Sequence, residues 1–567
     1  MEILRDSLKK VILELYGIDF EPEIVPAPSN IDADYSSNAP LKLAKELHNN
    51  PLSIAEKIAE KNDGFFVSKP GFLNFKLSDE FLGGEILRLA DNFEISSDKF
   101  SGKTVICEFS DPNPFKVLHV GHLYTSIVGD AISRLFEYAG AKVIRANFGG
   151  DVGLHVAKTM YILKQKNIDE LTIEDIAKCY VEGTAAYEDD ENAKREITEL
   201  NKEIYKINAE DIHGTSVSDL YWKGRELSYE YFKDFYARIG VKFDKFYPES
   251  TVAALGLLEV KEELEAGVYE RSDGAVIFDG EKYGLHTRVF INKEGVPTYE
   301  TKDVGLIFTK WQDYHFDKSV VITGSEQLEY MKVVLKSVEQ YAPELVEKTS
   351  HLTHGLVKLP GNVKMSSRKG NFLKAVDVLE MVSDELKEEY NSEDLKVSMA
   401  AYKYAFLKYK MGGDIIFDPK ESVKMTGNSG PYLLYSVVRA GKILVTASTK
   451  DASSERSLAP AVAGLGRSVN GPLPFMLRES TLVDAERNLA KKLLEYKGIL
   501  DEAVVEMAPH KLANYLYEAA QEFSRFYENC PVVGSDEEAE RIKLVQVYYN
   551  VMQHGLNILG IEIPEEM

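Results

Sequence analysis

Residues 104–147 constrain the fold more tightly than any other stretch of this chain. Thr104 to Phe109 is an apolar run of strand type, residues 110–118 form a Pro-rich loop, His119 to Tyr138 reads as a helix ending at Gly140, and Lys142 to Asn147 reads as a second strand. Within the helix Leu123, Ile127, Ala131 and Leu135 share one face at i, i+4 spacing. This is a βαβ unit, and right-handed crossovers make such units build a parallel sheet whose ligands sit beyond the carboxyl ends of its strands. Further strands are expected at Ala275–Phe278, Thr287–Asn292 and Ser319–Thr323, the last apolar enough to be a buried parallel strand.

The expected fold class is α/β, with a Rossmann-like parallel-sheet domain over 99–425 and a charged helical insertion at about 155–239. An α+β domain precedes it at 1–98, where Leu43, Leu47, Ile54 and Ile58 have helical spacing and Gly64 to Phe75 reads as short strands around Pro70-Gly71. An all-helical domain follows at 426–567, interrupted by a Ser/Pro/Gly-rich surface loop at 448–480. The acidic run Glu188 to Glu191 belongs to a solvated part of the insertion. The tyrosines and phenylalanines of the last domain, from Tyr432 to Tyr549, read mainly as core.

Lys and Arg total 67 against 91 Asp and Glu, a net charge of −24, which argues against broad, indiscriminate nucleic-acid binding and against DNA as a partner. Selective binding through local basic patches, stacking and shape stays open. Cys107, Cys179 and Cys530 form no C-x-x-C pair, so neither a disulfide framework nor a cysteine metal site is expected, and a reducing cytoplasm fits. Met1 to Lys10 lacks an apolar signal core and no run of 18 apolar residues occurs, so secretion and membrane spanning are not expected.

Several motifs are decoys. Ser101-Gly102-Lys103-Thr104 resembles the end of a phosphate-binding P-loop, but it precedes a strand and Ser97 stands where the first glycine belongs. The first βα turn has no G-x-G-x-x-G. His351 and His354 have H-x-x-H spacing, compatible with a metal if a third ligand were near or with packing. No metal site is expected.

Two phrases carry the chemistry: His119-Val120-Gly121-His122 at a helix mouth, and Lys364-Met365-Ser366-Ser367-Arg368-Lys369-Gly370 far downstream. Free N–H groups and the helix dipole favour an anion at the first, and two histidines on one helical face can donate to a phosphate as charge builds on it. Gly121 lets a base approach the backbone. Lys364, Arg368 and Lys369, between Gly361 and Gly370, form a cationic loop that by itself reads as a solvated charge run or as a flap over an anion.

In this order the two phrases resemble the paired signatures of class I aminoacyl-tRNA synthetases, and the surrounding residues narrow the resemblance to the arginyl-tRNA synthetases. The matches are Glu108 to Pro114, Lys116 to Leu123, Gly129-Asp130, Leu220 to Gly224, Tyr247 to Ser250, Tyr299 with Asp303, Gly324 to Gln327, His354 to Val357 and Gly427 to Tyr432. They span nearly the whole chain. The resemblance implies ATP with Mg2+ as substrate, L-arginine, a cognate arginine tRNA, a monomer, and arginine activation that needs bound tRNA. It also implies that Lys116, His119, His122, Lys364, Arg368 and Lys369 are catalytic. Pro112, Asn113, Gly121, Gly324, Met365 and Ser366 join the histidines on ATP, and Lys116 supplies a charge missing at Ser367.

For arginine it implies Glu108, Asp111, Asn113, Tyr299, Asp303 and Gln327, with Glu108 and Asp303 on the cationic group. A guanidinium is planar and always charged, so a discriminating pocket needs carboxylates in set positions. Phe72 and Asn74 are expected to touch the tRNA elbow, and the last domain to read the anticodon loop. The chain departs from the family at Asp111, usually serine, Tyr124, usually arginine, and Phe148, usually histidine. A synthetase for another amino acid, a non-catalytic tRNA-binding relative and a small-molecule nucleotidyltransferase are the competing readings.

Overall fold

A computed structural model describes the chain except residues 1, 29, 62–63, 167–170, 362–372 and 457–481, and the side chains of 2–3 and 450–456 as well. Two compact units emerge, one made of residues 96–435, 501–514 and 554–567, the other of residues 1–95, 436–500 and 515–553.

The larger unit is built on a five-stranded, fully parallel sheet in the order Thr349–His354, Lys318–Gly324, Thr104–Glu108, Lys142–Gly149, Lys245–Pro248. The chain lays strands to one side of Thr104–Glu108 and then crosses to the other. A crevice therefore opens between the carboxyl ends of Thr104–Glu108 and Lys318–Gly324, the position where such sheets bind ligands. The helix Val120–Tyr138 lies over the sheet and is buried on nearly all sides, with Leu123, Ile127, Ala131 and Leu135 at most 1% exposed. Of the remaining expected strands, Ala275–Phe278 and Arg288–Ile291 pair antiparallel in a separate small sheet with Glu270–Ser272.

The insertion comprises the helices Leu154–Gln165, Ile173–Asp189, Glu191–Ala209 and Ser216–Arg238, packed around Val156, Met160, Ile176, Ile197, Ile204 and Tyr221. The acidic run is the exposed joint between two of them, where Asp190 caps the third helix by accepting from Asn192 N at 2.7 Å. The last helix has a structural task that its charge pattern concealed. It braces the loop 109–118, in which Ser110, Asp111 and Phe115 hold φ of 73°, 48° and 63°. Tyr236 and Ser110 share a hydroxyl hydrogen bond of 2.8 Å, Ser228 Oγ accepts from Phe115 N at 3.0 Å, and Phe115 sits on Gly224. Left-handed non-glycine residues cost about 1–3 kcal/mol each, so the loop keeps this shape only because its surroundings impose it.

In the other unit, residues 1–95 form the four-stranded antiparallel sheet Val25–Pro26, Tyr35–Ser37, Phe72–Phe75, Phe65–Ser68 with flanking helices. They join the C-terminal helices through Arg487 and Lys491, which clasp Asp34 at 2.5 and 3.0 Å. Residues 448–456, expected in a loop, continue the helix Gly430–Arg456, since Ala, Ser and Thr there do not oppose helix. The rest of that expected loop lies almost wholly outside the described residues.

Gly224→Ala would place a Cβ 2.4 Å from the Phe115 ring. It is expected to destabilise the protein by about 1–3 kcal/mol and to reduce turnover by displacing the loop, as measured by calorimetry beside a single-turnover assay.

Candidate active site

The loop 109–118 joins the two halves of the site, and the end of the second strand holds it down. Asp111 Oδ1 accepts from Phe148 N and Asn113 Oδ1 from Gly150 N, both at 2.7 Å. Gly149 has no side chain because one would lie 2.3 Å from the Pro112 carbonyl oxygen. Asp151, fully buried, locks the same turn by accepting from Arg225 Nε at 2.9 Å, Ser250 N at 3.0 Å and Ser250 Oγ at 2.7 Å.

At the far end of the loop the helix begins at Val120, one residue later than expected, and His119 is its N-cap. Gly121 N donates to His119 Nδ1 at 3.1 Å, and His119 N donates to His122 Nδ1 at 3.0 Å. The rings stack with centroids 3.8 Å apart. A backbone N–H can only donate, so both Nδ1 atoms are unprotonated and each neutral ring carries its proton on Nε2. Burial, reinforced by Lys116, pushes His119 down to about 4, and burial, with His119 and Lys116, pushes His122 further below its usual value. The pair is thus neutral near pH 7, with two Nε2–H donors. Gly121 has a reason beyond base access, because a Cβ there would stand 2.8 Å from His119 Cε1. Lys116 lies over the Tyr180 ring, 4.9 Å from its centroid.

Lys364, Met365, Ser366, Arg368 and Lys369 lie outside the described residues. The chain that follows them does not. Leu373 O accepts from Val120 N at 2.9 Å, Ala375 N donates to Leu118 O at 3.0 Å, and His119 pairs with Lys374.

The acids converge at the other end of the loop. Glu108, 3% exposed, pairs with Lys310 at 2.6 Å, and Lys310 also donates to Ser319 Oγ at 3.1 Å. Glu249 pairs with Lys302 at 2.5 Å and Glu300 with Arg288 at 3.3 Å. Among the described residues neither Asp111 nor Asp303 has such a cation. Asp303 is hydrogen-bonded to the Tyr330 hydroxyl. Burial, then Glu108, raises Asp303 to about 8, and burial with Glu108 raises Asp111 well above the carboxylate range. Tyr299, Lys302 and Asp303 project from the first turns of the helix Tyr299–Tyr314, with Lys302 5.0 Å from the Tyr299 ring centroid. Gln327 and Gly324 lie where the Lys318–Gly324 strand turns into the next helix, and Gln327 is exposed.

Three of these residues have surroundings that the sequence did not show. Glu108 is paired with Lys310 through Oε2. Asn74 is fully buried, accepting from Ser36 Oγ at 2.7 Å and donating to Ser68 Oγ at 2.9 Å, and so it pins strands together and is not a surface contact. Tyr124 is 1% exposed and meets His354 edge-on at 4.9 Å, filling core where the family places arginine. Phe72 is half-buried, and Phe148 is half-buried and packed against the sheet core. His354 donates Nδ1–H to Gly355 O, and His351 and Thr323 are 2.7 Å apart, so that histidine pair is engaged in packing. No group of metal-binding residues occurs among the described residues, and no described helix is long and apolar enough to cross a membrane.

Sequence reasoning missed Lys302, Lys310, Tyr330 and Asp151. Lys302 could have been found from its i, i+3 spacing to Tyr299, whereas Lys310 is 202 positions from Glu108 and carries no local signal. Glu108→Gln strands a buried ammonium and is expected to cost about 3 kcal/mol of stability, read as a lower calorimetric midpoint. An unchanged midpoint with only a raised arginine KM would instead mark Glu108 as an open substrate contact.

Three family models match in succession: the arginyl tRNA synthetase N terminal domain at 2–77, the tRNA synthetases class I (R) catalytic domain at 87–415 and the DALR anticodon binding domain at 433–567. The arginine–tRNA ligase of Treponema denticola is 30% identical, covering 100% of each chain, and that of Fusobacterium nucleatum 27% identical, covering 100% of this chain and 99% of its own. Among solved structures, Thermus thermophilus arginyl-tRNA synthetase has a TM-score of 0.78 at 23% identity and covers 100% of both chains. The Plasmodium falciparum arginyl-tRNA synthetase has a TM-score of 0.78 at 19% identity, covering 100% of this chain and 99% of its own, and both likenesses bear on the fold alone. With a neutral histidine pair at a helix mouth, an acid-rich crevice beside it, and three family models running from one end to the other, the chain belongs to the arginyl-tRNA synthetases.

Proposed function

We infer that this protein is an arginine–tRNA ligase, which activates L-arginine with ATP and transfers the arginyl group to the 3′ end of its cognate tRNA. The observation that carries this reading is that two buried acids of the crevice, Asp111 and Asp303, have no cationic partner among the described residues. Three buried or half-buried acid–base pairs balance one another, while burial and Glu108 raise Asp111 and Asp303 above the usual carboxylate range and leave both in need of a cation. A guanidinium, charged at every working pH, meets that need, and Tyr330 holds the Asp303 carboxyl towards it.

The substrate carboxylate then points along the loop 109–118 towards the histidines. Asn113, its Oδ1 occupied by Gly150 N, presents Nδ2 as a donor to that carboxylate. ATP, as its magnesium complex, places its α-phosphate at the helix mouth. The carboxylate attacks the α-phosphorus, pyrophosphate departs, and the His119 and His122 Nε2–H groups donate to oxygens on which charge accumulates. Neutral donors suit this step because they give up no proton and need none. Lys364, Arg368 and Lys369 serve the departing pyrophosphate.

We assign tRNA-elbow binding to residues 1–98, catalysis to 99–425 and anticodon reading to 426–567, with Phe72 as an elbow contact. In the last segment Tyr527, 42% exposed with the Arg439 guanidinium 4.9 Å from its ring, suits a stacked loop base. The enzyme acts as a cytoplasmic monomer on tRNA and not on DNA.

Purified protein is expected to charge arginine tRNA with arginine and not lysine, and to exchange pyrophosphate into ATP only with tRNA present. Failure to charge any tRNA with arginine would refute the reading. Because Asp303 holds a proton below about pH 8 in the empty pocket, arginine binding expels it. The arginine KM should therefore fall more than about tenfold between pH 6.5 and 8.5. Asp303→Asn should raise KM by about 100-fold and reduce the pH trend to the part that Asp111 supplies.

A further inference from the structure

Lys302 joins three helices at one buried point. It belongs to Tyr299–Tyr314, is 3% exposed, and its Nζ meets Glu249 Oε2, at the start of Glu249–Glu265, at 2.5 Å. The same ammonium lies over two tyrosine rings. The Tyr299 centroid is 5.0 Å away, and that of Tyr205, on the insertion helix Glu191–Ala209, is 5.5 Å away. Burial works against the charge, and Glu249 and Tyr205 outweigh it, so Lys302 is held above its usual range.

The two tyrosines differ in how firmly they are held. Tyr205 packs against the insertion core that contains Val156, Ile197 and Ile204, and its hydroxyl stands 3.9 Å from the point where Gly153 would carry a Cβ. Tyr299 is the first residue of its helix and is 52% exposed. Side chains four apart on a helix are neighbours, so its ring stands beside Asp303 on the face turned to the crevice. A ring that open keeps rotamer freedom unless a contact removes it. The buried ammonium is such a contact, because a desolvated cation attracts a ring face more strongly than an exposed one.

A lysine serving only to neutralise Glu249 would need Glu249 alone. Here two further sides of the ammonium carry rings, one fixed in the insertion and one in the wall of the arginine pocket.

We propose that Lys302 is a positioning residue for arginine: its ammonium, anchored on Glu249 and steadied by the Tyr205 ring, beds the Tyr299 ring against which the substrate side chain lies. This rests on the synthetase reading and on Tyr299 as an arginine contact. Tyr205 is then the point at which the helical insertion reaches the arginine half of the site.

The test is steady-state charging of arginine tRNA, with arginine and ATP varied separately. Tyr205→Leu leaves the Lys302–Glu249 pair in place and is expected to raise the arginine KM about 5- to 20-fold, with kcat and the ATP KM changed less than about twofold. Tyr205→Phe loses only the hydroxyl and should raise the arginine KM about 2- to 5-fold, which decides the matter should the leucine variant not fold. In a Tyr299→Leu background, Tyr205→Leu should add less than about twofold, because the ring it steadies is gone. Lys302→Arg, which keeps a cation for Glu249 and both rings, should lie nearer wild type in arginine KM than Lys302→Met. Tyr187→Leu is the control, since Tyr187 is in the same insertion but lies under Lys158 and Lys194, and its arginine KM should stay within about twofold of wild type. An arginine KM unmoved by both Tyr205 variants would overturn the proposal, as would equal rises in the arginine and ATP KM, or effects of Tyr205→Leu and Tyr299→Leu that multiply. Each of these would leave Lys302 as the counter-ion of Glu249. Arginine charging by wild type, measured first, separates failure of this proposal from failure of the synthetase reading.

Discussion

Everything at the site hangs on the way the strand Lys142–Gly149 and the turn after it grip the loop 109–118. Two hydrogen bonds of 2.7 Å, one to Asp111 and one to Asn113, and the close passage of Gly149 under Pro112 hold a backbone with three left-handed non-glycine residues. The grip works because Asp151 and Arg225 clamp the turn from below, and because Tyr236, Ser228 and Gly224 leave Phe115 and Ser110 one place to go. Strain at a site is tolerated only where neighbours over-determine it. Here the neighbours come from the helical insertion, which explains why a catalytic sheet carries so large a detour.

The two ends of that loop are electrostatic opposites. At the helix mouth two imidazoles are kept neutral by burial and by Lys116, each with an Nε2–H donor beside the positive end of the helix dipole. In the crevice two carboxyls are kept protonated by burial and by Glu108. The empty site therefore stores little net charge, and each substrate brings the charge that its own half lacks. Lys310 on Glu108 and Lys302 on Glu249 make this possible by neutralising the acids that would otherwise leave the crevice strongly negative.

How much of this could be read in the sequence depended on distance along the chain. The βαβ unit was legible because its signals are local: an apolar run, a Pro-rich loop, a helical apolar stripe closed by glycine. The histidine phrase was legible because it follows a strand and a Pro-rich loop, whereas Tyr299 and Asp303 were singled out only by the resemblance to the arginyl-tRNA synthetases. The edge strands Thr349–His354 and Lys245–Pro248 were not, since one alternates Thr, Ser and His with few apolar residues and the other ends in proline. Nor was the Glu108–Lys310 pair, or the clasp of Asp34 by Arg487 across 453 positions, because one chain contains no record of which distant charges meet. Asn74 shares that cause, since it looks like an open polar residue until its buried partners Ser36 and Ser68 are known.

The most direct test is a crystal structure of the protein with a non-hydrolysable arginyl-adenylate analogue. The account predicts the guanidinium on Asp303, and the phosphate-equivalent oxygens within hydrogen-bond distance of Nε2 of His119 and His122. An analogue seated with its guanidinium away from Asp303, or with Nδ1 of either histidine turned to the ligand, would contradict it.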